Sequence, residues 1–285
     1  MILVTGAAGR IGSAAVGSLL DQGYSVRAGV HQQSLPIDGV ETCAIDFDRH
    51  ETLAPALEGI DRLLLISREV EHEEAMVDAA REAGVERIVK LSSFGADTDP
   101  FHVGRLHREV ERLIEQSGMT WTFLRPNYLM QNFVMLMGDD IRQRDAFDDS
   151  IGDARISCVD ARDVGAVAAR VLTEPGHEST VYELSGPEAI SHHEAAGMLS
   201  EALGRTIRYV PLDDDEFREK LEGLSVSEEY VEIFVDVNRQ TRMGKTQDHV
   251  VTPSVEGVLG RPPTPFTQFC RDYASAFAPE TGVGD

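Results

Sequence analysis

Lysine is nearly missing from this 285-residue chain. Only Lys90, Lys220 and Lys245 carry that side chain among 26 basic residues, while acids number 49. The resulting formal charge of −23 repels nucleic-acid phosphates and anionic membrane surfaces, so neither is expected as a partner. Surplus carboxylates with so little lysine also read as a halophilic surface, suited to a salty cytoplasm. There the screening length shrinks from about 8 Å at physiological ionic strength to about 3 Å at 1 M. The melting temperature is therefore expected to climb as KCl is raised to molar concentration, and a melting curve indifferent to the salt contradicts that reading.

Cysteine is scarce and odd in number: Cys43, Cys158 and Cys270 stand far apart. That excludes a disulfide framework and a cysteine-based metal site, and fits reduced thiols in the cytoplasm. No spacing of potential ligands suggests a metal, the His192–His193 pair included. No apolar run approaches the roughly 20 residues that cross a bilayer. A strand-like run directly after Met1 predicts no signal or transit segment.

What the chain does contain is alternation. Strand-like runs at 2–5, 24–30, 40–47, 61–67, 86–95 and 120–127 are separated by helical patterns at 13–22, 50–59, 71–85 and 106–118. That order predicts an α/β fold, a Rossmann-type doubly wound parallel sheet with a smaller C-terminal substrate lobe. Residues 1–127 and 156–175 are assigned to the dinucleotide-binding domain, and 128–155 and 176–285 to the lobe. Within "VDARDV", Asp160 and Asp163 bracket a helix start and read as cap and first-turn acid. Ser191 and Glu194 have capping-box spacing at the head of another helix. From Leu212 onward the pattern is acidic and irregular, with "DDDE" read as a solvated turn or helix start.

The opening stretch "MILVTGAAGRIGSAAV" carries the chemistry. Gly6, Gly9 and Gly12 follow a strand and open a helix. The first permits a tight turn, the second lets the backbone approach a pyrophosphate, and the third lets helix and sheet pack closely. The helix start then offers unpaired N–H groups to phosphates, with Arg10 and Ile11 in its first turn.

Glycines spaced three and three resemble those of the short-chain dehydrogenase/reductase superfamily, in its extended and atypical branches. The resemblance implies a nicotinamide dinucleotide, with Asp46 of "CAIDF" at the adenine and Phe47 lining the adenine pocket; Asp46 is also placed to cap the following turn. The second strand ends in "VRAGVHQQS", with no acid to accept a ribose 2′-hydroxyl. His31 stands where relatives often carry arginine, and Arg10 and Arg27 lie nearby in sequence, so NADP(H) is favoured over NAD(H).

Most reductases of that superfamily move the proton with a tyrosine and a lysine four residues later. None of the six tyrosines here (24, 128, 182, 209, 230 and 273) is followed by lysine at that offset. From the fifth strand on, "VKLSSFGAD", "HREVERLIEQSGMTWTFLRPNYLMQNF", "ISCVDARDV" and "YELSGPEAISHHEA" instead resemble the NmrA-like atypical branch and its bacterial NAD(P)H-quinone reductases. In those reductases a His is followed four residues on by Glu, the pattern of His107 and Glu111. The resemblance implies that His107 serves the reaction and that Glu111 orients it from the same helix face; by spacing alone the two read equally as a plain surface helix pair. It also places Ser67, Ser92, Pro126 and Asn127 around the nicotinamide, with Tyr128, Met130 and Phe133 lining an apolar pocket or packing in the core.

The function implied is hydride transfer from NAD(P)H to a quinone-like or other electrophilic small molecule. A quinone accepts hydride readily and dispenses with the placed acid that a ketone needs. The alternative is a non-catalytic dinucleotide sensor acting through a protein partner, as some NmrA-like proteins do.

Overall fold

The computed structural model describes residues 1–31, 40–67, 70, 73–98, 102–224 and 227–279. The first half runs β1 (Ile2–Val4), α1 (Arg10–Asp21), β2 (Val26–Val30), β3 (Glu41–Ala44), α2 (Leu53–Ala56), β4 (Arg62–Leu65), α3 (Glu73–Glu82), β5 (Arg87–Leu91), α4 (His102–Gln116) and β6 (Thr120–Pro126). It continues with α5 (Asn132–Arg144), β7 (Ala146–Asp149), β8 (Arg155–Ile156), α6 (Ala161–Thr173), β9 (Thr180–Leu184) and β10 (Ile190–Ser191). The chain then adds α7 (His192–Leu203), β11 (Arg208–Pro211), α8 (Asp214–Glu222), α9 (Glu228–Arg242), α10 (Ser254–Leu259) and α11 (Phe266–Asp272).

Seven strands form one parallel sheet in the order β3-β2-β1-β4-β5-β6-β9. Helices cover both faces, which is why β4 reads as a continuous apolar run. Alternate side chains divide between the two cores. Leu64, Val89 and Leu124 join the core under α1 and α6, while Leu63, Leu65, Ile88 and Phe123 join the one under α3 and α4. On the first face α6 meets α1 nearly backbone to backbone: a Cβ on Gly165 would stand 2.6 Å from that of Ala14. Asp160 caps α6, its carboxylate accepting from the Arg162 backbone N–H, and Asp163 is buried against Arg261 and the Thr264 N–H. Both acids are structural, in line with their positions around a helix start.

The third core belongs to the smaller lobe and gathers Phe133, Phe147, Phe266 and Phe269 from α5, β7 and α11. Two short two-stranded sheets, β10-β8 and β11-β7, frame it. One strand departs from the sequence-based division. Residues Thr180–Leu184, assigned there to the lobe, pair in parallel with β6 and form the edge of the main sheet. In the acidic stretch after Leu212, "DDDE" is a helix start, one of the two readings open to it. Asp213 and Glu216 form a capping box that starts α8, and Ser227 caps α9.

Candidate functional site

β1 and β4 are neighbours where the strand order reverses, the place where an open parallel sheet leaves a crevice beyond its strand ends. Thr5 ties the two strand ends together. Its hydroxyl donates to the Ile66 carbonyl and accepts from the Ile66 N–H, both at 2.7 Å. The chain then turns at Gly6, whose φ of +58° lies in the region that glycine enters without strain. Gly12 is held by space rather than by dihedral: a Cβ there would stand 2.2 Å from the Gly6 carbonyl oxygen. Gly9 caps α1 with no side-chain hydrogen bond, and no acid sits in the first turn. The N–H groups of that turn and the positive end of the helix dipole are therefore available to an anion.

A cleft of about 750 Å³ opens at this point. Gly6, Gly9, Arg10, His31, Asp46, Phe47 and Ser67 line it, so seven of the residues expected at a cofactor come together there. Ala8, Gly29, Val30, Ile45, Asp48 and Ile66 complete the wall and were not anticipated. Gly29 allows the close approach of β2 to the next strand end, since a Cβ on it would lie 2.4 Å from the Ile45 side chain. Asp46 stands in the cleft wall, and its carboxylate caps the following turn, accepting from the Asp48 N–H at 3.0 Å. Arg27 turns away, bound to Glu41 and to the Ala56 and Glu58 carbonyls.

Other expected contacts lie elsewhere. Ile11 and Gly12 are buried in α1, behind the loop. Ser92 is buried and donates to Glu111 at 2.6 Å. Pro126 ends β6 in register with Leu184. Asn127 is spent on structure: its amide donates to Ser157 Oγ and the Asp248 carbonyl, both at 2.8 Å, joining the sheet edge to the lobe. Met130 and Phe133 pack in the lobe core, and the half-buried Tyr128 meets Phe133 edge to face.

On the α3/α4 face the sheet carries two buried cations, each at an alternate position after an apolar residue. Lys90 follows Ile88 in β5, and Arg125 follows Phe123 in β6. Arg125 meets Glu111 of α4 through two parallel contacts of 2.9 and 2.6 Å, and also reaches Asp97 and Glu183. Lys90 is fully buried and pairs with Glu73 of α3, whose other oxygen accepts from Ser67 Oγ at 2.8 Å. Its Nζ also stands 3.2 Å from His107 Nδ1.

Glu111 therefore does not orient His107. The i,i+4 spacing is real, but the Glu111 carboxylate turns across to Ser92 and Arg125, and the His107 ring is met by Lys90. Burial, with the like charges of Lys90 and then Arg125, holds the His107 imidazole well below its usual 6.5. The neutral ring is the native form, and the unfolded chain takes up a proton below about 6.5 that the folded one refuses. The His107 contribution is thus complete above that pH and is lost as the pH falls. In denaturation series down to pH 5, His107→Gln is expected to flatten the decline in stability relative to wild type; identical slopes contradict the burial of a neutral ring.

Sequence reasoning missed Lys90 and Glu73. The signal was a lysine at an inward position of the apolar strand "RIVKL", in a chain with three lysines in all. Among the described residues no group of three or more His, Cys, Asp or Glu could hold a metal, and no helix is long and apolar enough to cross a membrane.

A doubly wound sheet with a glycine cradle at its switch point defines the Rossmann class of nucleotide-binding folds. The NmrA-like family pattern matches residues 1–260, and the chain belongs to that family. It is 35% identical to an NAD(P)H azoreductase of Xenophilus azovorans over 97% of this chain and 99% of that one. It is 36% identical to a (4-alkanoyl-5-oxo-2,5-dihydrofuran-3-yl)methyl phosphate reductase of Streptomyces griseus, over 98% and 100%. Among solved structures, the NADPH-dependent quinone oxidoreductase of Escherichia coli complexed with NADPH superposes with a TM-score of 0.84 at 28% identity, covering 95% of this chain and 99% of that one.

Proposed function

We propose that this chain is an NAD(P)H-dependent reductase that acts on a quinone-like or other electrophilic small molecule. The observation that carries the reading is the cradle at Gly6, Gly9 and Gly12, where an added Cβ on Gly12 would fill the space between loop and helix. Its full-length relatives among named reductases support the enzymatic class. Gly6, Gly9 and Arg10 would hold the pyrophosphate, and Asp46 and Phe47 the adenine end. The bound dinucleotide would supply hydride.

His31 and Arg10 stand in the cleft wall, and β2 ends without a carboxylate. That arrangement supports NADP(H) over NAD(H), since an acid at this point would accept a 2′-hydroxyl and repel a 2′-phosphate. His107, neutral and half-buried on α4, is the group assigned to donate a hydrogen bond from its ring N–H to the acceptor oxygen as negative charge builds there, with water supplying the proton that completes the hydroquinone. A quinone makes modest demands on such a donor, because the hydroquinone anion is a weak base compared with an alkoxide.

His107→Ala is expected to lower kcat for quinone reduction by about 100-fold, the low end of the effect of losing one hydrogen-bond donor to a developing oxyanion, with the Kd for NADPH unchanged. Stopped-flow turnover and fluorescence titration on the same preparation check both halves. A kcat within a factor of two of wild type would remove His107 from the chemistry.

A further inference from the structure

Three donors on one buried ammonium leave the neighbouring ring little choice. Lys90 Nζ is within hydrogen-bond range of three groups: the Glu73 carboxylate, the Leu91 carbonyl at 3.2 Å and His107 Nδ1 at 3.2 Å. A lysine ammonium has three N–H donors and no acceptor. The first two partners are acceptors only, so the third contact is a donation as well, and His107 Nδ1 must carry a lone pair. We propose that Lys90, fixed by Glu73 and Ser67, is a positioning residue that locks His107 as the neutral tautomer with its proton on Nε2. The inference rests on the reductase reading for its use, but not for its chemistry.

The lock has an anchor in the cleft. Ser67 lines the cleft wall and donates to Glu73 Oε1, while Glu73 Oε2 takes Lys90. Four side chains from the end of β4, from α3, from β5 and from α4 are thus joined in series, from the cofactor cleft to the His107 ring. The charged groups bearing on that ring are Lys90 and Arg125, both cationic and both opposed to its protonation. Glu111, one turn along α4, is engaged with Arg125. The consequence for catalysis is a donor whose proton stays on one nitrogen, in one orientation, across the physiological pH range. A free surface histidine would be partly charged below about 6.5 and would exchange tautomers.

The test is the imidazole 15N spectrum of histidine-labelled full-length protein, with His107 assigned by its disappearance in His107→Gln. The proposal expects wild-type His107 to show the Nε2–H pattern and no titration between pH 8 and pH 5.5. A ring that titrates near 6.5, or one with its proton on Nδ1, overturns it. Lys90→Met alone would strand the Glu73 carboxylate in the core, so the informative variant is Lys90→Met/Glu73→Leu. In that protein the Nε2–H pattern is expected to give way to exchange between the two tautomers, and the ring to take up a proton at a higher pH than in wild type, with burial and Arg125 still holding it below its usual value. Its kcat for quinone reduction is expected to fall about 10-fold through loss of ring orientation, with the KM for NADPH unchanged. A ring that keeps the pure Nε2–H pattern in the double variant overturns the role of Lys90. If the double variant fails to fold, the wild-type spectrum alone decides. A locked ring in a protein that turns over no acceptor would defeat the reductase reading and leave this one standing. Robust turnover with an unlocked ring would do the reverse.

Discussion

Replacing Gly12 with alanine is expected to weaken dinucleotide binding by about 100-fold or more while leaving a folded protein. The added methyl would stand 2.2 Å from the Gly6 carbonyl oxygen, 2.8 Å from its carbon and 2.9 Å from Ala7 Cα. All three neighbours are backbone, so no side chain can swing aside; loop and helix must separate by most of an ångström. Overpacking of this kind costs about 1–3 kcal/mol of stability, which a domain of ordinary stability survives. The cofactor loses more. In the proposed complex its phosphates would depend on N–H groups at the start of α1 lying at hydrogen-bond distance from the same oxygens. Losing two charge-assisted contacts, each worth about 1.5–3 kcal/mol, weakens binding by about 100-fold or more. Fluorescence titration with NADPH, beside a thermal melt, separates the two effects. An alanine variant that binds NADPH within threefold of wild type would show that the phosphates lie somewhere other than this cradle.

Arg125→Met is expected to be the most destabilising single change on the α4 side. Arg125 is 3% exposed and Glu111 fully buried, and the pair is held by two near-parallel contacts. Removing the cation strands a carboxylate in the core, which costs about 3–5 kcal/mol. Arg108, at 3.3 Å from the same carboxylate, offsets part of that loss. Replacing both charges, as Glu111→Leu/Arg125→Met, is expected to recover most of the stability, because buried ion pairs add little beyond what packed apolar groups supply. Chemical denaturation of the three variants checks it. A single variant as stable as wild type, or a double variant worse than the single, contradicts the view of this pair as a strap rather than a source of net stability.

The glycine loop was legible because its spacing encodes geometry directly: one turn, one close approach and one packing contact, all within seven residues. The alternation of strands and helices was legible for the same local reason, since side-chain period reports burial. Legibility ended where partners come from distant elements. Glu111 and His107 share a helix face, but spacing along one helix cannot say whether a carboxylate turns to its neighbour or across to Ser92 and Arg125. The Lys90–Glu73 pair joins residues 17 apart through a sheet and a helix that the sequence displays only as separate patterns. β9 was assigned to the lobe because "TVYEL" states that it is a strand without stating beside which one it lies. Met130 and Phe133 look alike as pocket wall and as core; the packing of α5 against β7 and α11 makes them core.

Whether the cleft serves reduction of a small-molecule acceptor is read directly from absorbance at the reduced-nicotinamide band. NADPH and NADH are each offered in molar KCl with a panel of quinones and azo dyes, using wild type and His107→Ala. Acceptor-dependent loss of absorbance is expected, faster with NADPH and about 100-fold slower in the variant. Tight NADPH binding with no oxidation by any acceptor would contradict it and point instead to a protein that senses the dinucleotide.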